Sequence, residues 1–337
     1  MKKLILTLTL LVIASCEVAY SQAKPIGELR KMFAYQRNAP LDVRENGVEE
    51  KTDASIYDLS YGSPKGGRVS AYLVVPSSRK GKLAGIVFMH QRPGSRNVFL
   101  AEALELAKIG AVSLLIDAPF SRTGESRRDF DPTVTKPKDD LDIYIQTVID
   151  LRRGVDLLFS RSDVDPKRIG FIGFSYGAHT GAVLAGVEKR VKAYVIMSGA
   201  PSLTEFLRTS TIPAIVETRN SLTKEQQTDY FTTLASVDPI NYIGHVAPSA
   251  LFLQFGKKDG YPSEEMQMVY AKAASEPKLV KTYDAGHGLN DEARRDRAEW
   301  LQDRLNLGKF PRRSHQWRTS IFRSLSWSSI TGWHEVR

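Results

Sequence analysis

The fold of this chain is decided by one stretch, Gly173-Phe174-Ser175-Tyr176-Gly177, and by the segments on either side of it. An apolar run, Arg168-Ile169-Gly170-Phe171-Ile172, precedes the stretch and predicts a buried strand. The run from Ala178 to Ala185 follows it, is rich in small residues, and predicts a helix. A strand, a G-x-S-x-G turn and a helix in this order form a nucleophile elbow, which lifts a serine hydroxyl out of a sheet. The order favours Ser175 as a nucleophile over an inert Gly-Ser turn.

A serine nucleophile needs a base, and the base needs a carboxylate that orients it. With an elbow of this kind the chain order is serine, acid, histidine. The apolar segment 249–256 predicts a strand, and Asp259 follows in the loop at its end. A shorter predicted strand, 278–283, leads into a glycine-flanked loop that carries His287. The sequence therefore predicts a triad of Ser175, Asp259 and His287.

Other side chains compete for the roles of acid and base. Asp284 and Asp238 are weaker candidates for the acid, because neither lies just beyond a strong central strand. The alternative bases are the remaining histidines, namely His90, His179, His245, His315 and His334. His287 is preferred because of its position in the chain order and its loop.

Acyl transfer also needs hydrogen-bond donors for the negative oxygen of the tetrahedral intermediate. The first predicted donor is the backbone N–H of Tyr176, the residue after the nucleophile. The second normally comes from the loop after an early central strand, here 83–89, and is assigned to the backbone N–H of Gln91. The side chain of Arg92 has two interpretations, a contact with a substrate carboxylate or an exposed loop arginine.

These segments together resemble the α/β-hydrolases, in particular the branch of dienelactone hydrolases and prolyl-oligopeptidase-like esterases. The resemblance covers about residues 55–306 and is carried by the runs VSAYLVVP (69–76), GIVFMH (85–90), DVDPKRIG (163–170), GFSYGA (173–178) and AGHG (285–288). It implies an α/β fold with a mostly parallel central sheet of about eight strands, helices on both faces and a small lid insertion. It implies neither a metal ion nor an organic cofactor.

Two departures from the family pattern affect the expected chemistry. Dienelactone hydrolases use a cysteine nucleophile, and Ser175 at that position points to ordinary ester hydrolysis. The usual His-Gly of the oxyanion loop is His90-Gln91, which leaves the shape of the acyl pocket open. We expect a serine esterase for short acyl groups that works through an acyl-enzyme. The alternatives are a serine peptidase of the prolyl-oligopeptidase type and a non-catalytic binding protein. The acyl group, the alcohol and the oligomeric state stay open.

The composition is that of a globular protein, with 337 residues, 42% hydrophobic and 25% charged. The net charge of +9 is unevenly distributed, with a net charge of +5 on residues 308–337, +1 on residues 1–23 and +3 on the body. The body has no basic stripe interleaved with aromatic residues. This distribution argues against a nucleic-acid partner and leaves a small-molecule ester as the expected one.

The first residues predict an export signal. Lys2 and Lys3 precede an apolar stretch, 4–14, that is too short to span a bilayer. The run Ile13-Ala14-Ser15-Cys16 resembles a lipobox, which would leave a lipid anchor on Cys16. Ser21-Gln22-Ala23 offers ordinary cleavage instead, but Cys16 is the only cysteine and stands where a lipobox needs one. We expect a bacterial periplasmic protein or a membrane-anchored lipoprotein.

The domain organisation follows from these segments. We expect a signal peptide at 1–23, an N-terminal arm at 24–54, an α/β-hydrolase domain at 55–307, and a disordered basic tail at 308–337. Within the domain, residues 199–247 form a lid-like insertion before the strand that bears the acid. Thr223 and Gln226 form a capping-box pair that predicts a helix through about Ala235.

Overall fold

The computed structural model describes residues 25–78 and 81–310. In this part of the chain, nine strands form one sheet. The strands are β1 (Arg44–Glu50), β2 (Ala54–Gly62), β3 (Arg68–Pro76), β4 (Leu83–Met89), β5 (Ala111–Ile116), β6 (Val164–Phe174), β7 (Ala193–Met197), β8 (Ala250–Gly256) and β9 (Lys278–Tyr283). Their order across the sheet is β1-β2-β3-β5-β4-β6-β7-β8-β9.

The helices follow the strands in the order of the chain. They are α1 (Ile26–Lys31), α2 (Leu100–Ala107), α3 (Pro137–Ser160), α4 (Tyr176–Val187), α5 (Leu203–Thr209), α6 (Pro213–Ser221), α7 (Lys224–Leu234), α8 (Ile240–Ile243), α9 (Glu264–Ala273) and α10 (Asp291–Arg304). None of the helices in the described residues is both long and apolar enough to cross a membrane.

The six strands β4 to β9 run parallel to one another, as the apolar runs of the sequence predicted. Every residue of β4, β5, β7 and β8 is buried, which is the pattern of strands covered by helices on both faces. One hydrophobic cluster includes residues of α3 and α4, and a second cluster includes residues of α2 and α10. The predicted fold class, a mostly parallel α/β-hydrolase sheet, is confirmed.

The sheet has one strand more than the eight that the sequence suggested. The additional strand, β1, lies in the segment 24–54, which we expected to be an irregular arm. It pairs antiparallel with β2 at the edge of the sheet, and all seven of its residues are exposed. Its sequence carries no apolar alternation, because backbone pairing rather than burial holds it in place.

Residues 199–247, called the insertion below, contain the helices α5 to α8. The predicted capping box is present: the Thr223 hydroxyl accepts from the Gln226 N–H, and the Gln226 side chain accepts from the Thr223 N–H. The helix that it opens, α7, ends at Leu234, one residue before the predicted end. The predicted signal segment with Cys16, and the tail beyond residue 310, lie outside the described residues.

Candidate active site

Ser175 lies in a sharp turn between the end of β6 and the start of α4. Its backbone has φ 54° and ψ −108°, a conformation that side-chain-bearing residues rarely adopt. Strain of this kind costs about 1–3 kcal/mol and is typical of functional sites. The Ser175 N–H donates to the Met197 carbonyl oxygen at 2.9 Å, which ties the turn to the neighbouring strand β7.

The glycines on either side of Ser175 are required by close backbone approach. A Cβ at Gly173 would overlap the carbonyl oxygen of Gly177, and a Cβ at Gly177 would overlap the carbonyl oxygen of Met89 at the end of β4. The first contact lies within the turn, and the second packs α4 against the central strand. The G-x-S-x-G pattern therefore has a steric cause at both glycines.

The structure brings together the three side chains that the sequence predicted to interact. His287 Nε2 lies 2.9 Å from Ser175 Oγ, and His287 Nδ1 lies 3.0 Å from Asp259 Oδ2 and 3.1 Å from Oδ1. Asp259 Oδ1 also accepts the Tyr261 N–H at 2.8 Å, which fixes the carboxylate. Asp259 and His287 are buried, whereas Ser175 is half-buried. The arrangement is a continuous hydrogen-bonded chain from carboxylate to hydroxyl.

The orientation of the His287 ring is also fixed by aromatic packing. The ring of Phe174, the last residue of β6, lies 5.1 Å from the His287 ring, centroid to centroid. The ring of Tyr261 lies 5.9 Å away. Because Tyr261 contacts Asp259 through its backbone and His287 through its ring, one residue orients both groups.

The two rival carboxylates have other partners. Asp284 is 73% exposed and pairs with Lys258 at 2.8 Å. Asp238 is buried and accepts the Ser202 hydroxyl at 2.6 Å and the Leu203 N–H at 2.8 Å, so it anchors the start of α5. Burial raises the pKa of Asp238 to about 6. Asp238 is therefore part of the attachment of the insertion.

His90 and His179 are buried and neutral, because burial lowers the pKa of each to about 4. His90 Nε2 accepts the Ala118 N–H at 3.1 Å, so the ring proton lies on Nδ1 and donates to the Gln91 carbonyl oxygen at 2.6 Å. His179 Nε2 donates to the Val237 carbonyl oxygen at 3.1 Å. The sequence did not reveal that His90 holds the loop of Gln91. The bond that fixes the His90 ring comes from the backbone N–H of Ala118, which is 28 residues away.

The two predicted oxyanion donors lie at the carboxyl ends of adjacent strands. Tyr176 is the first residue of α4, so its N–H has no acceptor within the helix. Gln91 follows β4, whose Met89 pairs with Gly173 of β6 just before the elbow. Both residues therefore lie at the edge of the sheet from which Ser175 projects.

A cavity of about 320 Å³ opens beside Ser175 and His287. Helices α5, α6 and α7 of the insertion line one side of it, and the loop around Phe130 lines another. Arg92 also lines the cavity, is exposed, and places its guanidinium carbon 4.7 Å from the centre of the Phe130 ring. Among the described residues, no cluster of three or more His, Cys, Asp or Glu side chains is arranged to hold a metal ion.

The fold and the elbow define this protein as an α/β-hydrolase. The sequence pattern of the family described as acetyl xylan esterase (AXE1) matches residues 27–303. The chain therefore belongs to the acetyl xylan esterase family, and it is a carboxylic ester hydrolase. A comparison with curated protein sequences finds no match.

Solved structures of other hydrolases are similar in fold. The acetyl xylan esterase from Paenibacillus sp. R4 has a TM-score of 0.70 and 20% identity over 83% of this chain and 93% of that chain. Acetyl xylan esterase 1 from Thermoanaerobacterium sp. JW/SL YS485 has a TM-score of 0.68 and 17% identity over 83% and 94%. A putative dienelactone hydrolase from Klebsiella pneumoniae subsp. pneumoniae MGH 78578 has a TM-score of 0.52 and 15% identity over 79% and 99%. The predicted resemblance to this superfamily is confirmed.

Proposed function

We propose that this protein hydrolyses short-acyl esters, acetyl esters above all, through Ser175, His287 and Asp259. The observation that carries the proposal is the hydrogen-bonded chain Asp259–His287–Ser175, with links of 3.0 and 2.9 Å. The acetyl group is supported by membership of the acetyl xylan esterase family. The family name leaves open which alcohol this chain's own cavity accepts.

In the proposed mechanism, Ser175 Oγ attacks the ester carbonyl carbon while His287 Nε2 takes the hydroxyl proton. Asp259 keeps the other ring proton on Nδ1 and stabilises the imidazolium that forms. His287 then returns its proton to the departing alcohol, which leaves an acyl group on Ser175. Water, activated by the same ring, releases the acid and restores the serine.

The tetrahedral oxyanion is stabilised by the backbone N–H groups of Tyr176 and Gln91. The N–H of Tyr176 opens a helix of twelve residues, so the partial positive charge of the helix N-terminus adds to the hydrogen bond. The loop of Gln91 is held by the bond from His90 Nδ1, so the donor does not have to be ordered when substrate binds. Loss of one such donor costs about 3 kcal/mol of transition-state stabilisation.

We place the enzyme outside the cytoplasm, in the periplasm or anchored to a membrane by Cys16. The support is the sequence alone: Lys2 and Lys3, the apolar stretch 4–14, and a small-residue site before Cys16. Metabolic labelling with a palmitate analogue is expected to mark the wild type and not Cys16→Ala. Secretion of unlabelled protein that begins near Lys24 would favour ordinary cleavage instead.

The triad is tested with a fluorophosphonate probe, which reacts with activated serines. The wild type is expected to be labelled and Ser175→Ala is not. Ser160→Ala, the same change at an exposed position near the end of α3, is the matched control and keeps the label. Labelling of folded Ser175→Ala would place the nucleophile elsewhere.

The acyl preference is tested on methyl acetate, butyrate and octanoate, which share one alcohol. We expect kcat/KM to be highest for the acetate. The proposal of a short acyl group fails if the octanoate is the best of the three.

A further inference from the structure

One arginine of the cavity wall carries a charge that the protein leaves without a counter-ion. Arg92 follows Gln91, the proposed oxyanion donor, and lines the cavity that opens beside Ser175 and His287. Its side chain is exposed, and its guanidinium makes neither a hydrogen bond nor an ion pair with any residue that the structure describes. The five N–H donors of a permanent cation are therefore available to a ligand.

The guanidinium of Arg92 is nevertheless held in place by aromatic rings. Its central carbon lies 4.7 Å from the centre of the Phe130 ring and 5.9 Å from the centre of the Phe120 ring. Both phenylalanines are buried. A cation is attracted to the face of such rings, and a guanidinium that rests on them has lost part of its freedom before a ligand arrives. Binding an anion to Arg92 therefore costs less ordering than it would on a free surface arginine.

The two carboxylates that line the cavity are bonded elsewhere. Asp131 accepts the N–H groups of residues 133, 135 and 136 at 3.0, 2.8 and 2.8 Å. Asp140 accepts the Asp131 N–H at 2.9 Å and the Tyr230 hydroxyl at 3.0 Å. Neither forms an ion pair with Arg92. These two acids fix the loop and α7, and they leave the cation of Arg92 open.

The insertion adds a second cation to the same cavity. Arg219 of α6 donates from Nη1 to the carbonyl oxygens of residues 207, 208 and 210 at 3.1, 2.9 and 3.0 Å. Its Nε and Nη2 make no hydrogen bond to the described residues. The N–H groups that remain free on the charged side chains of the wall therefore belong to two arginines, which is the composition of a wall that attracts an anion.

The charge of Arg92 also acts on groups inside the cavity. Burial raises the pKa of the hydroxyl groups of Tyr144, Tyr176 and Tyr230, and the charge of Arg92 acts against this rise at all three. All three tyrosines line the cavity, and Tyr176 is the residue after the nucleophile. A ligand bound beside Ser175 is therefore within the field of Arg92.

The volume of the cavity shows which part of the ester meets this field. Cavities of about 300 Å³ or more accommodate ligands of drug size, which are far larger than an acetyl group. The cavity measures about 320 Å³ and borders both Ser175 and His287. With a short acyl group on the serine, the part of the substrate that fills most of the cavity is the alcohol.

We infer that Arg92 binds a carboxylate on the alcohol part of the ester, so that the preferred substrate is the short-acyl ester of a hydroxy acid. This inference rests on the proposed function. The planar guanidinium offers two parallel N–H groups to the two oxygens of a carboxylate, a pairing that is both stronger and more directional than a neutral hydrogen bond. The remainder of the alcohol is not restricted by Arg92 and can be a sugar ring or a carbocycle.

The first test varies only the charge of the alcohol. The acetates of trans-4-hydroxycyclohexanecarboxylate and of its carboxamide have the same ring, the same ester and nearly the same shape. We expect kcat/KM of the wild type to be about tenfold higher for the carboxylate at low ionic strength, because a charge-assisted pair is stronger than a neutral one and its exposure to water limits the gain. The preference is expected to shrink in 0.5 M NaCl, which screens an exposed pair.

The second test changes the arginine. Arg92→Gln is expected to lower the ratio of kcat/KM for carboxylate over carboxamide about tenfold, and Arg92→Lys, which keeps the charge and loses the planar fork, is expected to lie between the two. The matched control is Arg127→Gln on the loop that carries Phe130, since Arg127 is exposed, pairs with Asp129 at 2.7 Å and does not line the cavity. We expect the control to keep the ratio within about twofold of the wild type. Because the intrinsic reactivity of each ester is the same for every variant, the change in the ratio measures Arg92 alone.

Several outcomes would overturn the inference and leave ester hydrolysis intact. One is an equal fall for both substrates in folded Arg92→Gln, which would mean that the residue only shapes the loop of Gln91. Another is faster cleavage of trans-4-(aminomethyl)cyclohexyl acetate, a cation, than of the carboxylate, which would assign the field of the cavity to Asp131 and Asp140. If Arg92→Gln does not fold, the wild type decides, and a preference for the carboxylate that salt does not reduce counts against Arg92.

A last pair of substrates places the carboxylate on the acyl side. Monoethyl succinate and ethyl succinamate differ in charge as the ring acetates do, but their charge would be carried by the acyl-enzyme. If the wild type prefers monoethyl succinate as strongly as it prefers the charged ring acetate, Arg92 does not select the alcohol and the inference is wrong. If none of these esters is cleaved and the fluorophosphonate does not label Ser175, the proposed function fails and the inference fails with it.

Discussion

Asp259→Asn is expected to reverse the hydrogen bond between residue 259 and His287. The Tyr261 N–H donates to Asp259 Oδ1 at 2.8 Å, and only an oxygen can accept it. The new carboxamide therefore keeps its oxygen at that place and puts its NH₂ group in the position of Oδ2, 3.0 Å from His287 Nδ1. Nδ1 must then accept, and the proton of the neutral ring moves to Nε2. That atom lies 2.9 Å from Ser175 Oγ.

A ring that carries its proton on Nε2 cannot take the proton of the serine hydroxyl. Because the shape of the site is preserved, the loss of activity measures the contribution of the base alone. The same exchange in a Ser-His-Asp triad lowers kcat by about 10⁴-fold. At 1.36 kcal/mol for each factor of ten, this corresponds to about 5 kcal/mol of transition-state stabilisation. The ring is packed against Phe174 and Tyr261, which opposes a flip that would restore the proton to the other nitrogen.

The assay is the initial rate of ethyl acetate hydrolysis at constant pH, together with thermal unfolding of each variant. Asp284→Asn is the matched control, since Asp284 is exposed and pairs with Lys258 rather than with His287. We expect the control to retain the wild-type rate. A loss of less than about tenfold in folded Asp259→Asn would refute the assignment of Asp259 as the acid that orients the base.

The remaining predictions concern parts of the fold that hold the site in place. Gly177→Ala is expected to cost about 3 kcal/mol in urea unfolding, because its Cβ overlaps the Met89 carbonyl oxygen on a central strand that cannot move away; an unchanged midpoint would contradict the geometry of the turn. Asp238 has its pKa raised by burial to about 6, so its contribution to stability is fully present below pH 4 and is lost as the pH rises through 6. We expect this loss to reach about 3 kcal/mol in the wild type and to be absent from Asp238→Asn when unfolding is followed from pH 4 to 8; parallel curves would disprove it. Arg122→Met leaves the carboxylate of Asp150 buried without its 2.6 Å ion pair and is expected to cost about 3–5 kcal/mol, which Arg122→Met with Asp150→Leu largely restores. Equal stability of the single and double variants would mean that the ion pair is not the cause.

The elbow and the central strands could be predicted because their causes are local. Glycine is required at 173 and 177 because a Cβ would overlap atoms of the turn itself or of the strand beside it. The spacing of the two glycines can therefore be recognised in the sequence. Parallel strands covered on both faces appear as uninterrupted apolar runs, as in Ala250–Gly256. The capping box of α7 is likewise a pattern within four residues. Features of this kind need no knowledge of the rest of the fold.

The edge strand and the cavity could not be predicted, because their causes lie far away along the chain. Strand β1 is held by the backbone of β2, and its exposed side chains carry no signal. The apolar wall of the cavity is assembled from three helices of 7, 9 and 11 residues, none long enough to show an apolar face by itself. Whether Arg219 is free or bonded depends on the end of a different helix, which the sequence does not reveal.

Tyr176 connects the chemistry of the site to the selection of its substrate. Its backbone opens α4 beside the nucleophile, where the oxyanion is proposed to form, and its side chain lines the cavity. The ring packs 5.9 Å from Phe130 and 5.4 Å from Tyr144, centroid to centroid, and both of these residues line the cavity. A ligand that displaces these side chains is therefore expected to displace Tyr176 as well, whose backbone N–H is the proposed donor to the oxyanion. The insertion reaches the triad by a second route, because the ring of Phe206 in α5 lies 3.8 Å from the ring of Tyr261, which in turn contacts His287. A change at Phe206 is therefore expected to affect the orientation of His287 as well as the fit of the alcohol.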